Sequence, residues 1–176
     1  NQELNQSLAL VRSTLESTFD GILMIDKNGT VVDWNQKFVD MWRLPVGLLE
    51  AGPEGPGFAY VLDQVEDPEG LVAEVTKLYD NPNEQGNLGE VRFKDGRIFE
   101  RYSQPHRVNN DIVGRVWSFR DVTAQRADAE ALRLRSRALE ASSNGIVMMD
   151  ISDHDTRVIY VNPAFERMTG YTDDGI

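Results

Sequence analysis

The sequence predicts an α+β fold: a five-stranded antiparallel sheet with helices on one face, flanked by an N-terminal and a C-terminal helix. Three patterns support this prediction. Apolar residues recur at helical spacing near the start and after residue 122, the spacing changes to every second residue between residues 89 and 119, and turn residues separate short apolar runs. The order helix, two strands, short helices, three strands and helix is typical of one sheet with a covered face.

The first elements are an amphipathic helix and a hairpin. Apolar side chains spaced four, three and four residues apart predict a helix with a narrow seam, at Leu4, Leu8, Val11 and Leu15. Residues 21–26 and 30–34 predict two strands. Asn28-Gly29 lies between these runs, and an Asn-Gly pair favours the tight turn of a β-hairpin.

Short helices are expected next. Asn35 is placed to cap a helix that runs through Trp42 and ends by Pro45 and Gly47. Residues 51–57 are rich in Gly and Pro and predict a loop. Residues 58–65 and 68–79 predict two further helices. The second begins with proline, whose missing N–H costs nothing in a first turn.

Three strands and a long helix complete the pattern. Residues 89–93, 97–105 and 112–119 predict the strands, and residues 94–96 and 109–111 their turns. Residues 123–141 contain no Gly or Pro and predict the helix. Two seams at 3-4 spacing run along it: Val122, Gln125, Ala129, Leu132, Ser136 and Leu139, and Ala124, Ala127, Ala131, Leu134 and Ala138. Two seams suit a coiled coil that can change register.

The chain also contains an internal repeat. Residues 15–26 return as residues 139–150 at a constant offset of 124, with Leu, Glu, Gly, Ile, Met and Asp in the same places. Residues 32–41 match residues 159–168 after an insertion of three residues. A period this long is too large for a solenoid unit. We therefore expect two tandem domains, of which the second is truncated.

Composition excludes several classes of function. The chain has 176 residues and carries 29 Asp and Glu against 18 Lys and Arg, a net charge of −11 that repels nucleic acid. It has no cysteine, which excludes disulfides, thiolate metal sites and a Cys nucleophile. No apolar run could span a bilayer, and no signal peptide opens the chain. We expect a soluble, cytoplasmic fragment of a longer protein.

These residues resemble a known family, the PAS domain with its PAC C-terminal half. Residues 17–26, the hairpin Asn28-Gly29 and the helix start at Asn35 resemble the PAS half. Residues 93–97, Gln104-Pro105 and residues 114–123 resemble the PAC half. The resemblance covers about residues 4–141 of the chain, and residues 142–176 resemble the start of a second copy.

The resemblance implies a sensory and dimerising module of a bacterial signal transducer. Its output domain is expected to be a diguanylate cyclase or cyclic-di-GMP phosphodiesterase, which similar tandem modules accompany. The alternatives are a two-component sensor histidine kinase, or a dimerisation scaffold without a ligand. We place a dimerisation helix at residues 1–19, the PAS/PAC domain at 20–122, a coiled-coil linker at 123–141 and the truncated PAS domain at 142–176.

Two sets of residues are expected to carry the signal. Asp121, Val122 and Thr123 lie where the last strand becomes the linker helix. Asp121 or Thr123 can cap that helix, and the resemblance implies that this junction switches between two geometries. The helices themselves are expected to build a parallel homodimer, with apolar contacts at Leu4, Leu8, Val11, Leu15, Leu132 and Leu139.

A small-molecule pocket is expected between the sheet and the central helices. A three-residue turn at 94–96 aligns Phe99 with Val91, whereas a two-residue turn aligns Ile98 with Phe93. The resemblance places Phe99, Arg101 and Ser103 inside and favours the first. The pocket candidates are then Val91, Phe93, Phe99, Arg101, Ser103, Trp117 and Phe119.

Arg101 admits two interpretations. A buried guanidinium needs an anion, so it binds a carboxylate or phosphate ligand, or it pairs with Glu90 or Glu100 at the sheet edge. Charged residues are rarely fully buried, so the ion pair at the sheet edge is the favoured interpretation.

No catalytic or metal-binding residues are expected in this segment, and the cofactor, if there is one, stays unknown. Flavin adduct chemistry needs a cysteine, and haem is disfavoured because His106 and His154 are both expected at the surface. No nucleotide-binding glycine motif or Ser/His/Asp set is present.

Overall fold

The computed structural model describes residues 12–14, 16–45, 47–51, 56–84, 87–152 and 155–171. The chain divides into two compact units, Asn1–Ala124 and Gln125–Ile176. Residues 12–14 and 16 are helical. The four seam residues predicted for the N-terminal helix, Leu4, Leu8, Val11 and Leu15, lie outside the described residues.

From Gly21 onward, the described residues of the first unit form five strands and three α-helices. In chain order the elements are β1 (Gly21–Asp26), β2 (Val31–Trp34), α1 (Gln36–Trp42), a 3-10 turn (Leu48–Ala51), α2 (Pro56–Gln64), α3 (Pro68–Asp80), β3 (Asn87–Arg92), β4 (Ile98–Val108) and β5 (Asp111–Asp121). The strands form one antiparallel sheet in the order β2-β1-β5-β4-β3. The predicted α+β class and five-stranded antiparallel sheet are confirmed.

A linker helix and a second hairpin follow. They comprise α4 (Thr123–Ala141), β6 (Val147–Ser152), β7 (Asp155–Val161) and α5 (Pro163–Thr169). The strands β6 and β7 pair with each other in a two-stranded antiparallel sheet. The linker helix begins and ends at the residues that the sequence predicts.

The register of the sheet decides which side chains face the helices. Val91 pairs with Phe99, and the N–H of Phe93 donates to the carbonyl of Arg97, so residues 94–96 form a three-residue turn. Across β4 and β5, Arg101 pairs with Phe119. Because side chains alternate along a strand, every second residue of these strands lies on the inner face.

The core lies between this inner face and the helices. Trp42 is its centre, with ring centroids 5.0 Å from Phe93, 5.8 Å from Phe99 and 5.3 Å from Phe119. All four rings are buried. Aromatic pairs at such tilted or edge-on angles contribute beyond the area that they bury.

Some predicted boundaries are wrong by a few residues. The end of α1 at Trp42 is as predicted, and Arg43 follows it with φ 51°. Within the predicted loop 51–57, Ala51 belongs to the 3-10 turn and Pro56 opens α2. The strands β4 and β5 extend beyond residues 105 and 119, because two successive asparagines with positive φ form a two-residue turn that keeps the strands paired to its edge.

Candidate functional site

A cavity of about 400 Å³ lies between the inner face of the sheet and the helices α1 to α3. Its walls are mostly aliphatic and aromatic side chains from both layers. The residues that line it are Leu23, Ile25, Lys27, Asn28, Gly29, Val31, Phe38, Trp42, Leu48, Leu49, Gly57, Phe58, Val61, Leu71, Val75, Tyr79, Arg101, Trp117 and Phe119. A volume of this size lies within the range of small-molecule sites, and such sites are mostly apolar with a few polar groups.

Arg101 is the buried charge of this cavity. Its side chain is 1% exposed, and it projects from the middle of the sheet beside Gly89, its partner on β3. A Cβ at Gly89 would lie 2.7 Å from both Nε and Nη2 of Arg101, so a larger residue there would have to displace the guanidinium from this position. The guanidinium carbon lies 5.7 Å from the centre of the Trp117 ring.

The carboxylate that lies against Arg101 comes from Glu74 on α3. The sequence named Glu90 or Glu100 for this place. Those two residues are cross-strand partners of each other, so by alternation they share the face opposite to Arg101, and Glu90 pairs with Arg92. Loss of water on burial lowers the pKa of Arg101 from its ordinary value.

The pocket residues predicted from the sequence divide into two groups. Arg101, Trp117 and Phe119 line the cavity. The other four, Val91, Phe93, Phe99 and Ser103, are buried in the layer around it. Phe93 and Phe99 lie against the ring of Trp42. Trp42 lines the cavity, whereas these two phenylalanines do not.

Arg115 is a second buried cation, which the sequence analysis did not single out. Its guanidinium donates to Ser103 Oγ at 2.9 Å and to the carbonyls of Pro82 and Glu84, at 3.3 Å and 2.9 Å. Burial lowers its pKa, and the nearby charge of Glu84 opposes that shift. These bonds fasten the segment after α3 to the sheet. Alternation along β5 could have identified Arg115 as inward-facing, because it lies two residues from Trp117 on the same strand.

The residues at the β1–β2 turn form a polar rim of the cavity. Lys27, Asn28 and Gly29 line it there, together with Tyr79 of α3. Burial, with a smaller contribution from the charge of Asp26, raises the pKa of Tyr79. The Tyr79 hydroxyl is therefore neutral at physiological pH and able to donate a hydrogen bond.

The strand-to-helix junction is held from two sides. Asp121 Oδ1 accepts from the backbone N–H of Thr123 at 2.9 Å and from its hydroxyl at 2.5 Å. Thr123 Oγ1 in turn accepts from the N–H of Ile98, at the start of β4, at 2.9 Å. Val122 is buried, and its N–H donates to the carbonyl of Ile98. All three predicted junction residues are thus tied to the sheet or to each other.

The linker helix α4 has no buried residue. Leu132 and Leu134, one from each predicted seam, are 66% and 55% exposed. Leu139 is half-buried, and its carbonyl accepts from Asn162 of the second unit at 3.0 Å.

The described residues hold no group of three or more His, Asp or Glu that could bind a metal ion. His106 is half-buried in β4, whereas His154 lies outside the described residues. No helix in the described part of the chain is both long and apolar enough to cross a bilayer.

Comparison with known families identifies the fold. A family model described as the PAS fold matches residues 15–130, and a second, described as the PAS domain, matches residues 132–176. The chain belongs to the PAS family. The resemblance drawn from the sequence is therefore confirmed, with one copy of the domain in each matched range. No match was found among curated proteins.

Several solved structures are similar to this chain at low sequence identity. One is the PAS domain of a protein from Colwellia psychrerythraea, 23% identical, covering 66% of this chain and 98% of its own, with a TM-score of 0.46. Another is the PAS domain of Bordetella pertussis BvgS, 17% identical, covering 76% and 99%, with a TM-score of 0.48. A third is the sensor region of a sensor histidine kinase, 20% identical, covering 60% and 40%, with a TM-score of 0.48.

Proposed function

We propose that the first PAS domain senses the state of its cavity and passes it through Asp121–Thr123 into α4, which joins two copies of the chain. The observation that carries this proposal is the junction. Thr123 begins the linker helix, yet its side chain is hydrogen-bonded to both final strands of the sheet. A displacement of either strand therefore moves the first turn of the helix.

The cavity lies close to this junction along the strands. Arg101 lines the cavity and pairs with Phe119, two residues before Asp121 on β5. Phe99 pairs with Asp121 itself. If a ligand shifts Arg101 or Phe119, the backbone displacement has to extend over only two residues of the strand before it reaches the junction. The two states of the junction are then the bistable element that a sensor requires.

A parallel homodimer along α4 is the proposed receiver of the signal. A lone helix of this length is marginal in water, and the leucine of each seam in its middle, Leu132 or Leu134, is exposed. Packing against the same helix of a second copy buries a seam from each. A change from the Leu132 seam to the Leu134 seam would rotate the helix and carry the signal onward.

The output domain is expected to lie in the same polypeptide. Our first expectation is a diguanylate cyclase or cyclic-di-GMP phosphodiesterase, and the alternative is a histidine kinase. Assays of the full-length protein for cyclic-di-GMP synthesis, its hydrolysis and autophosphorylation distinguish these outputs. We assign no catalytic step to the segment described here.

A ligand-free scaffold is the rival function. A scaffold that binds no ligand is expected to have an interior filled by side chains, as folded domains normally do. The volume of about 400 Å³ beside a buried arginine therefore favours a sensor. Native mass spectrometry of the chain purified from cells distinguishes the two, since a scaffold carries no bound small molecule.

Replacement of Asp121 by asparagine tests the relay. The change keeps the shape but removes the charge that accepts two hydrogen bonds from Thr123. We expect altered output of the full-length protein and a loss of about 1 kcal/mol in stability, as for other helix-cap residues. The control is Asp111→Asn at the exposed start of β5. Equal output from Asp121→Asn and wild type contradicts the relay.

A further inference from the structure

We propose that the cavity of the first unit binds an apolar monocarboxylate, whose carboxylate takes the place of Glu74 on Arg101. This inference rests on the proposed sensory function and names the chemical class of its ligand. It follows from the chemistry of the polar groups that face or adjoin the cavity.

The charges that line the cavity favour an anionic ligand. The chain carries a net charge of −11, yet the described residues that line the cavity include Lys27 and Arg101 and no Asp or Glu. Lys27 is exposed at the rim, so Arg101 is the cation that this apolar space holds away from water. In a low-dielectric interior, a fixed cation attracts an anion far more strongly than it does at the surface.

Buried hydrogen-bond donors at the cavity lack acceptors. The Nε and Nη1 atoms of Arg101 are buried and have no acceptor among the described residues. The indole Nε1 of Trp42, whose side chain also lines the cavity, is buried and lacks an acceptor in the same part of the chain. All of these groups are donors only. A ligand that satisfies them has to bring hydrogen-bond acceptors, which the two oxygens of a carboxylate supply.

Glu74 differs from Arg101 in its exposure to water. Its side chain is 55% exposed, whereas that of Arg101 is 1% exposed. Glu74 can therefore turn into water at small cost, but Arg101 cannot leave the interior. An arginine fork binds a carboxylate through two parallel hydrogen bonds, and a ligand entering from the cavity can offer that geometry. Glu74 then acts as an internal competitor, which holds Arg101 until the ligand arrives.

The walls restrict the rest of the ligand. Leu23, Ile25, Val61, Leu71 and Val75 line the cavity and offer no hydrogen bonds. A polar sugar or nucleotide would lose its hydration there without compensation. A single negative group on an aliphatic or aromatic body matches one guanidinium within apolar walls.

Matched pairs of acid and alcohol provide the test on the wild-type chain. We would measure binding of octanoate against 1-octanol and of 3-phenylpropionate against 3-phenyl-1-propanol by titration calorimetry. Each pair has the same body, so the difference reports the carboxylate. We expect at least one acid to bind about 10- to 100-fold more tightly than its alcohol, the range for a charged hydrogen bond. Equal affinities, or no binding of either acid, overturn the proposal.

Variants then place the carboxylate. Arg101→Met should remove the preference for the acid, whereas Arg92→Met, which removes an exposed arginine of the neighbouring strand, should retain it. Glu74→Gln should strengthen acid binding, because it removes the competitor and leaves Arg101 intact. If Arg101→Met fails to fold, the acid and alcohol pairs on the wild-type chain and the Glu74→Gln variant still test whether a carboxylate replaces Glu74. Weaker acid binding in Glu74→Gln contradicts the exchange.

The outcomes separate this inference from the proposed function. If alcohols bind as well as acids and still change the output, the domain is a sensor of another ligand class and the inference alone fails. If the acid binds on Arg101 but Asp121→Asn leaves the output unchanged, the ligand class stands and the relay fails.

Discussion

The two hairpins of the chain, β1–β2 and β6–β7, share one local design and differ in what surrounds them. Both have a bulge at the same place in the repeat, between Met24 and Ile25 and between Met148 and Met149. Each is followed by a seven-residue helix, α1 or α5, with an asparagine at its N-cap. Two segments that are similar in sequence, more than a hundred residues apart, thus adopt the same local fold, including the bulge in the hairpin.

The cap asparagine is the centre of this design. Asn35 Oδ1 accepts from the N–H groups of Ile22 and Phe38, at 2.8 Å and 3.0 Å. Asn162 Oδ1 accepts from those of Ile146 and Phe165, at 2.7 Å and 3.0 Å. Both asparagines are buried. One side chain therefore ties a strand to a helix in each unit, by bonds that depend only on nearby residues.

Burial is where the two hairpins differ. Ile25 is 7% exposed, and its counterpart Met149 is 51% exposed. Met41 is 8% exposed, and its counterpart Met168 is 73% exposed. In the first unit β5 pairs along β1 and supplies Trp117 and Phe119 to the core, whereas β6 pairs with β7 alone among the described strands. The hairpin and helix form locally, but the core and cavity depend on distant strands.

The largest effect is expected from the phenylalanine of each short helix. Phe38 is 2% exposed and lies among core aromatics, so Phe38→Ala should cost about 3–5 kcal/mol of unfolding free energy. Its counterpart Phe165 is half-buried, so Phe165→Ala should cost clearly less within its own unit. Urea unfolding followed by tryptophan fluorescence reports the first unit, because Trp34, Trp42 and Trp117 all lie there. A loss below about 1 kcal/mol for Phe38→Ala contradicts the comparison.

The cap asparagines should give the next largest effect. Asn35→Ala leaves two backbone N–H groups without their acceptor, and we expect a loss of about 3 kcal/mol in the first unit. Asn162→Ala is the matched control, and it should leave the fluorescence transition unchanged. Hydrogen exchange should show lost protection at Ile22 in the first variant and at Ile146 in the second. Lost protection at both Ile22 and Ile146 in either variant would mean that the two units do not fold independently.

A smaller effect is expected at the glycine where strand and helix approach most closely. A Cβ at Gly21 would lie 2.9 Å from the Cα of Phe38, and one at Gly145 would lie 3.1 Å from that of Phe165. Gly21→Ala must therefore displace α1, at a cost of about 1–3 kcal/mol. Gly145→Ala should act in the same direction on α5. A stabilised Gly21→Ala variant in the same urea experiment would contradict the close packing of the repeat.

The smallest effect concerns the turn after β1. A hydrogen bond from the backbone of Thr30 lowers the pKa of Asp26, with a further bond from Asn28. Because the folded-state pKa is lowered, the contribution of Asp26 to stability is present above its unfolded pKa and is lost as the pH falls through the folded value. Wild type should therefore lose slightly more stability than Asp26→Asn between about pH 6 and pH 3. Identical pH profiles would show that the turn does not depend on the charge.

Local signals explain what the sequence predicts well. Asn28-Gly29 marks the first hairpin, Asn35 marks the start of α1, and the run without Gly or Pro marks α4. The three-residue turn at 94–96 then determines the register of β3 and β4 and the inner face with Phe99 and Arg101. Each of these features depends on residues close together in the chain.

Long-range placement explains what the sequence misses. The carboxylate beside Arg101 belongs to Glu74, which lies on another element 27 positions earlier (101 − 74). Its place on α3, three residues after Leu71 and four before Leu78, puts it on the apolar face, and that was an available signal. The contacts of Arg115 with Pro82 and Glu84 had no such signal, because they depend on how the segment after α3 lies on the sheet.

The central claim is that the junction at Asp121 sets the pairing of α4 between two copies of the chain. The sequence has no cysteine, so Arg133→Cys gives one unique position for a spin label on α4, at an exposed residue that belongs to neither predicted seam. Pulsed electron spin resonance then measures the distance between the labels of two protomers. We predict one short distance in the otherwise wild-type chain and a different one when Asp121→Asn is added. Absence of dipolar coupling between protomers, or the same distance with and without Asp121→Asn, would contradict the account.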